Sequence, residues 1–311
     1  MEKVGLDFRW IDNKMKVLVL GKNGFIGRNL CEYFEKKDDV EVLSVGSREL
    51  NLIDEEAVKE YLSGDWYDVI INASIYNPRV GVNKDPEKEL EYDLRMFHNL
   101  AKYGQCCGKM IYFGSGAEYD KRFPICSVLE EEIGKSIPVT DYGFAKYIIG
   151  REIDSGMYPN VYNLRVFGLF GKYENWVTTF ISGACCKALK DLPITIRRDV
   201  YFDYLYIDDF CKMVDVFIRL DKPEFHSYNI CSGRRIRLTE IAEVVKKVSG
   251  KDLPVYVCND GLANEYTASN ERLVKEIGFN NIEVFDESVS KLYSWYEGNK
   301  GLISVEKLLY G

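Results

Sequence analysis

Gly21-Lys22-Asn23-Gly24-Phe25-Ile26-Gly27 stands between an apolar run, Lys16–Leu20, and a helix-like stretch, Phe25–Glu35. Gly21 permits a tight turn, Gly24 lets backbone approach a pyrophosphate, and Gly27 lets strand and helix pack closely. The helix start then offers free N–H groups and the positive end of its dipole to phosphates. Glycine spacing alone is a weak signal, and its position between a first strand and a first helix gives it weight. The turn predicts a dinucleotide phosphate site at Gly21, Asn23, Gly24, Phe25, Ile26 and Gly27.

The rest of the chain keeps the rhythm that this turn requires. Lys16–Leu20, Val40–Val45, Asp68–Ala73, Lys109–Phe113 and Val161–Val166 read as short strands, and Phe25–Glu35, Asp54–Leu62, Pro86–Tyr103 and Tyr142–Ser155 read as helices. Strands that are apolar throughout, joined by helices, predict an α/β fold with a doubly wound parallel sheet. After about residue 170 come a helix, Trp176–Leu189, and short strands at Ile194–Ile196 and Tyr201–Tyr206. Leu238–Ser249, Asn270–Ile277 and Asp286–Tyr296 then read as helices with little sheet. The expected division is a dinucleotide-binding domain at 15–170, to which 200–235 returns, and a smaller, mostly helical substrate lobe at 171–199 and 236–311. Residues 1–14 are charged and read as an N-terminal extension, not a signal peptide.

Bulk properties exclude several partners. The 311 residues include 41 basic and 49 acidic ones, a formal charge of −8, which argues against nucleic acid. Nine cysteines without a CxxC framework fit reduced thiols in a cytoplasm. No metal is expected, because His98 and His226 lack cysteines at ligand spacing. No apolar run approaches the length that crosses a bilayer.

The second strand ends Val45-Gly46-Ser47-Arg48. An acidic residue there would bond the ribose 2′-hydroxyl of NAD, whereas Ser47 and Arg48 suit a 2′-phosphate and favour NADP, with NAD as the alternative. Arg48 as a solvated surface charge is the competing reading. Asn51 and Leu52 follow where an adenine ring would lie.

Tyr142-Gly143-Phe144-Ala145-Lys146 puts a phenol and an ammonium four residues apart on one helical face. A nearby cation lowers a phenol's pKa and makes Tyr142 a workable acid or base. Lys146 also suits the nicotinamide ribose. Ser115, directly after the fourth strand, supplies a hydroxyl facing the same crevice, where it would hydrogen-bond the substrate oxygen.

On these residues the chain resembles the extended short-chain dehydrogenase/reductase family of nucleotide-sugar epimerases, dehydratases and reductases. The likeness spans nearly all of residues 15–296. It rests on GKNGFIG at 21–27, NAS at 72–74, GSGAEYD at 114–120, YGFAK at 142–146, FDYLYIDDF at 202–210 and YNICSG at 228–233. It implies a Rossmann-type fold, a catalytic set of Ser115, Tyr142 and Lys146, Ala73 and Tyr142 beside the cofactor, and a nucleotide-sugar pocket in the C-terminal lobe. SRELNLID at 47–54 is most similar to the GDP-fucose synthase branch, which uses NADPH.

Departures from the family narrow the chemistry. Sugar 4,6-dehydratases carry an Asp-Glu pair where Gly116 and Ala117 stand, and GDP-fucose synthases carry a cysteine at Ala117 and a histidine near Trp176. Phe202 and Gly168 stand where the family often has Arg and Asn, so Arg197 and Arg198, or Arg234, Arg235 and Arg237, become candidates to grip a diphosphate. Trp176, Tyr204 and Tyr206 are candidate pocket walls, with core packing the competing reading. The resulting expectation is an NAD(P)-dependent oxidoreductase that reduces a 4-keto nucleotide-sugar at C4. A 4-epimerase with retained NAD is the alternative, followed by a non-catalytic dinucleotide-binding sensor. The family also implies a homodimer, with Pro86–Tyr103 and Tyr142–Ser155 as the candidate interface helices.

Overall fold

The computed structural model describes residues 14–77, 85–279 and 281–310. The N-terminal extension expected at 1–14 therefore lies outside the described residues except for Lys14. The first half runs β1 (Met15–Leu20), α1 (Phe25–Phe34), β2 (Val40–Val45), α2 (Glu55–Ser63), β3 (Tyr67–Asn72), α3 (Glu89–Ala101), β4 (Cys107–Ser115), β5 (Ile125–Val128) and α4 (Asp141–Asp154). It continues through β6 (Val161–Val166), β7 (Gly168–Phe170), α5 (Phe180–Leu189), β8 (Ile194–Asp199), β9 (Tyr201–Phe202), β10 (Tyr204–Tyr206), α6 (Ile207–Ile218) and β11 (Ser227–Ile230). The chain closes with β12 (Ile236–Arg237), α7 (Leu238–Ser249), β13 (Val255–Leu262), β14 (Tyr266–Ala268), α8 (Glu271–Ile277), α9 (Phe285–Gly298) and α10 (Val305–Tyr310).

Among the described residues, six strands form one parallel sheet in the order β11-β6-β4-β3-β1-β2. Strand β1 shows why both faces are covered. Val17 and Val19 pack with Leu30 and Phe34 of α1 and with Phe210 and Phe217 of α6. Leu18 and Leu20 point the other way, onto Val58 and Leu62 of α2, Phe97 of α3 and Ile149 of α4. Strand alternation thus feeds two cores from one apolar run, as a doubly wound sheet demands. The order reverses between β1 and β3, which opens a crevice beyond their carboxyl ends.

The first core does not stop at the sheet. It runs on through Cys185 and Cys186 of α5, Ile241 and Val245 of α7, and Val289 and Leu292 of α9, so the C-terminal lobe shares a continuous interior with the sheet face. Three smaller sheets lie beyond: β12-β9-β14-β5, β13-β8 and β10-β7. The last third accordingly holds more strand than the sequence pattern suggests. Seven of the eight residues of β13 are exposed, and it gains order by pairing with β8, so it lacks the apolar periodicity that signals a strand. Helix α5 starts at Phe180 rather than Trp176, because Asn175 organises a turn there: its Oδ1 accepts the Val177 N–H (3.2 Å) and its carbonyl accepts the Thr179 hydroxyl (2.9 Å).

Candidate active site

Gly21 adopts φ +85, a conformation that favours glycine, and a Cβ there would stand 2.8 Å from the Ala73 carbonyl oxygen at the end of β3. A Cβ on Gly27 would overlap the carbonyl of Gly21. Gly24 caps α1 with no side-chain hydrogen bond, and its N–H turns back to Gly21 O (2.9 Å). The first amides of α1, from Phe25, Ile26 and Gly27, are the orphan donors of a helix start. This cradle of bare backbone at the crevice fits a dinucleotide pyrophosphate. Gly27→Ala is expected to weaken dinucleotide binding at least tenfold, because the added methyl forces the turn off α1. Fluorescence titration with NADPH reads the loss, and unchanged affinity would remove the turn from phosphate binding.

Around the end of β2 the details differ from a bare Ser-Arg clamp. Asn23 leans over Gly46, its Nδ2 standing 2.5 Å from where a Cβ would be. Ser47 and Arg48 are exposed. Next to them Glu49, which sequence reasoning passed over, accepts the Gly46 N–H (2.7 Å) and pairs with Lys22 (2.5 Å). An acid is therefore present at this strand end, already committed to the turn. Asn51 is exposed and accepts the Ile53 N–H (3.2 Å). The Leu52 side chain belongs to the core formed with α2 and α3.

Ser115, Tyr142 and Lys146 meet at the end of β4. Thr140 caps α4 by accepting the Gly143 N–H (3.2 Å), which fixes Tyr142 in the first helical turn. Glycine at 143 lets α4 press on the Ser115 turn, since a Cβ there would be 2.9 Å from Ala117 O. Ser115 Oγ accepts the Ala117 N–H (3.1 Å) and lies within hydrogen-bond reach of the Tyr142 phenol. Lys146 is buried; its Nζ donates to Phe113 O (2.8 Å) and stands 5.8 Å from the centre of the Tyr142 ring. Burial pulls the Lys146 pKa down to about 8, against the pull of Asp93 and Glu118. Burial likewise pushes the Tyr142 phenol up to about 12, and the Ser115 hydrogen bond only partly offsets it. The lowering of the Tyr142 pKa expected from Lys146 is not seen in this structure, where burial dominates and Ser115 is the group that opposes it. A neutral phenol with two polar neighbours remains well placed to deliver a proton to an oxygen in the crevice.

Two features beneath this group escaped sequence reasoning. Glu118 is fully buried; it accepts the Ser115 N–H (3.1 Å) and pairs with the buried Arg165 (2.5 Å), which also reaches Asp154 (2.6 Å). The S-x-x-E spacing from Ser115 to Glu118 is a legible capping-box signal. The second is Tyr266 on β14, whose hydroxyl reaches the Ser115 turn from the opposite lobe. No local pattern marks it.

The expected substrate residues do not converge on one cavity. Arg197 and Arg198 are exposed on β8 and, with Asn259 and Ala263, line an open cleft of about 410 Å³. Tyr204 lines a separate cavity of about 70 Å³ with Tyr206, Ser232 and Arg234. Its ring stacks on Phe202 (5.2 Å between centres). Trp176 is partly buried against the main core. In the basic cluster, Arg235 lies on the Tyr201 ring (3.6 Å) and pairs with Glu265 (2.7 Å), while Arg237 faces Asp199 at 3.9 Å. Gly168 is explained by the backbone, because a Cβ there would overlap Asp203 O. Both histidines are engaged with neighbouring elements: His98 bonds Glu152 of α4 (2.8 Å) and His226 bonds Val161 O (3.0 Å).

Comparison with known proteins gives concordant results. The family described as "NAD dependent epimerase/dehydratase family" matches residues 17–231. A GDP-L-colitose synthase of Yersinia pseudotuberculosis is 21% identical over 307 residues, covering 92% of this chain and 99% of that protein. Among solved structures, a UDP-glucose 4-epimerase of Thermotoga maritima superposes with TM-score 0.79 at 16% identity over 92% of this chain and all of that one. A GDP-mannoheptose C4 reductase of Campylobacter jejuni, solved with NADP bound, gives TM-score 0.77 at 16% identity, covering 92% of this chain and 98% of that one. The structural likenesses speak to the fold, a Rossmann-type α/β sheet.

Proposed function

Because the chain belongs to the NAD dependent epimerase/dehydratase family, we propose that this NAD(P)-dependent enzyme reduces a 4-keto nucleotide-sugar at C4 with NADPH. The carrying observation is the convergence of Ser115, Tyr142 and Lys146 at the end of β4, with Gly116 and Ala117 supplying no acid or base beside them. When bound in the glycine cradle, the cofactor supplies hydride to the sugar carbonyl carbon. The chain's part is proton delivery and orientation. Tyr142 Oη gives its proton to the carbonyl oxygen, Ser115 Oγ–H steadies the charge developing there, and Lys146 favours the phenolate left behind. Hydride plus proton balance as the alcohol.

The substrate's nucleotide is assigned to the C-terminal lobe, with Trp176, Arg197, Arg198 and Tyr204 as candidate contacts. Nine free cysteines accord with a reduced, cytoplasmic setting, and among the described residues no helix is long and apolar enough to cross a membrane. A homodimer through α3 and α4 completes the reading, and the molar mass in solution by light scattering checks it. The decisive assay offers GDP- and UDP-linked 4-keto-6-deoxysugars with NADPH. Stoichiometric NADPH consumption is expected. Retained NAD with no net consumption would replace the reductase with a 4-epimerase.

Cofactor preference rests on Ser47 and Arg48. Arg48→Ala is expected to weaken NADPH binding about tenfold or more, roughly 1.4 kcal/mol, while NADH binding moves less than about twofold. Equal effects on both would remove Arg48 from the 2′-phosphate.

A further inference from the structure

Three parallel strands end level with one another beside the reaction centre. Ser115 of β4 is in register with Val166 of β6, and Val166 with Ile230 of β11. Neighbouring strands lie about 4.8 Å apart, so the end of β11 stands about 10 Å across the sheet edge from the Ser115 backbone, on the side where ligands of such sheets bind. There the turn Ser232-Gly233-Arg234 is braced from both sides. Buried Asp203 accepts the Ser232 N–H through Oδ1 (2.7 Å), and Ser232 Oγ accepts the Arg234 N–H (3.0 Å). Gly233 adopts φ +72, and a Cβ there would stand 2.9 Å from Asn270 Oδ1. The Asn270 side-chain amide in turn donates to Cys231 O (3.1 Å). Tyr204 reaches the same place from β10. A Cβ on Gly168, just past the end of β6, would stand 2.9 Å from its ring, and Tyr204 lines one cavity with Ser232 and Arg234.

We propose that Arg234 is the residue that grips the substrate's diphosphate, an assignment that rests on the nucleotide-sugar reading and sharpens it. Among the described residues, no carboxylate pairs with its guanidinium. Its neighbours in sequence are committed: Arg235 lies on the Tyr201 ring and pairs with Glu265, and Arg237 faces Asp199 and Glu240 (3.7 Å). Arg197 and Arg198 stand on β8, in a two-stranded sheet with β13, and their cleft shares no lining residue with the cavity of Arg234. The carboxylates that line that cavity, Asp209 and Glu283, are already paired with Lys212 (2.8 Å) and Lys291, which leaves the charge of Arg234 for a ligand. A pyranose linked through its anomeric carbon carries C4 and the diphosphate at opposite ends of the ring. With C4 at Ser115 and Tyr142, the diphosphate needs its cation across the sheet edge, where the Arg234 turn lies. A guanidinium fork gives two parallel N–H bonds to phosphate oxygens, and a turn fixed beforehand spares the cost of ordering it.

The test needs no turnover. With NADP saturating the glycine cradle, GDP, UDP, CDP and dTDP are titrated into the full chain by calorimetry. At least one of them should bind wild type, and Arg234→Gln should weaken it at least tenfold. Arg234→Lys, which keeps the charge and loses the fork, should fall between the two. The Arg197→Gln/Arg198→Gln double variant should bind within about twofold of wild type. Unchanged NADP affinity, read by fluorescence, shows that each variant is folded. Wild type that binds none of the four overturns the assignment, as does undiminished affinity in Arg234→Gln. A loss in the Arg197→Gln/Arg198→Gln variant that equals or exceeds the loss in Arg234→Gln overturns it too. The reductase reading is decided separately. If a nucleoside diphosphate binds through Arg234 while wild type oxidises NADPH with no 4-keto nucleotide-sugar, that reading fails and the Arg234 grip stands.

Discussion

Tyr142→Phe is expected to lower turnover by about a hundredfold or more while NADPH affinity stays within about twofold. The variant keeps the ring in the first turn of α4 and removes the oxygen to which the proposed mechanism gives proton delivery. Ser115 and the buried Lys146 remain, so a residual rate above background should persist from orientation and hydrogen bonding alone. The wild-type pH profile carries a second expectation. Burial holds Lys146 near 8, so its positive charge is present below that value and lost as pH rises through it. Because a deprotonated lysine no longer favours phenolate on Tyr142, kcat/KM should fall above about pH 8, well before the phenol itself titrates near 12. Steady-state rates with NADPH and a 4-keto nucleotide-sugar between pH 6 and 10 (roughly) test both points. Undiminished turnover in Tyr142→Phe would take the phenol out of the mechanism.

Much of this site is legible in the sequence because its parts are local. The turn from Gly21 to Gly27 and the pair Tyr142–Lys146 are each contained in seven residues or fewer, and each draws its geometry from the element that carries it. The central sheet is legible for the same reason: Val17–Leu20 is apolar on both faces, and Val161–Val166 keeps an apolar face of Tyr162, Leu164 and Val166 although Asn163 and Arg165 stand on the other. What stays hidden depends on distant partners. Tyr266 matters only because β14 is threaded between β9 and β5, a placement that no run of three residues encodes. The place of the Leu52 side chain in the core with α2 and α3 is likewise set by distant packing and not by its neighbours in sequence. Arg197 and Arg198 show the limit from the other side. Sequence proximity to the substrate lobe suggests a grip on a diphosphate, but their cleft shares no lining residue with the cavity beside Tyr204. Glu118 is the intermediate case. Its capping box with Ser115 is local, whereas its ion pair with Arg165 joins the turn after β4 to strand β6, 47 residues on.

That ion pair sets the largest expected change in stability. Arg165→Met should cost about 3–5 kcal/mol, because it leaves the Glu118 carboxylate buried without its cation. Asn163 (3.2 Å) and the Ser115 amide (3.1 Å) still donate to Glu118, but neither carries charge. Burial already raises the Glu118 pKa, and Arg165 is the chief opposing influence. Removing the arginine raises it further, so the folded variant takes up a proton that the unfolded chain releases above about pH 4.3. In the window between that value and the raised folded value, the native state binds more protons than the unfolded state. Stability of the variant therefore falls as pH rises through the window, and the deficit against wild type is smallest in acid. Urea unfolding at about pH 5 and about pH 7.5 should show the larger loss at the higher pH. Glu118→Gln combined with Arg165→Met should recover part of it, since no buried charge is left. An equal deficit at both pH values would mean that Arg165 stabilises by packing and not by charge. The consequence reaches the active site, because the Ser115 amide is anchored on Glu118: a protonated carboxyl holds that amide less strongly, and the single variant should lose kcat along with stability.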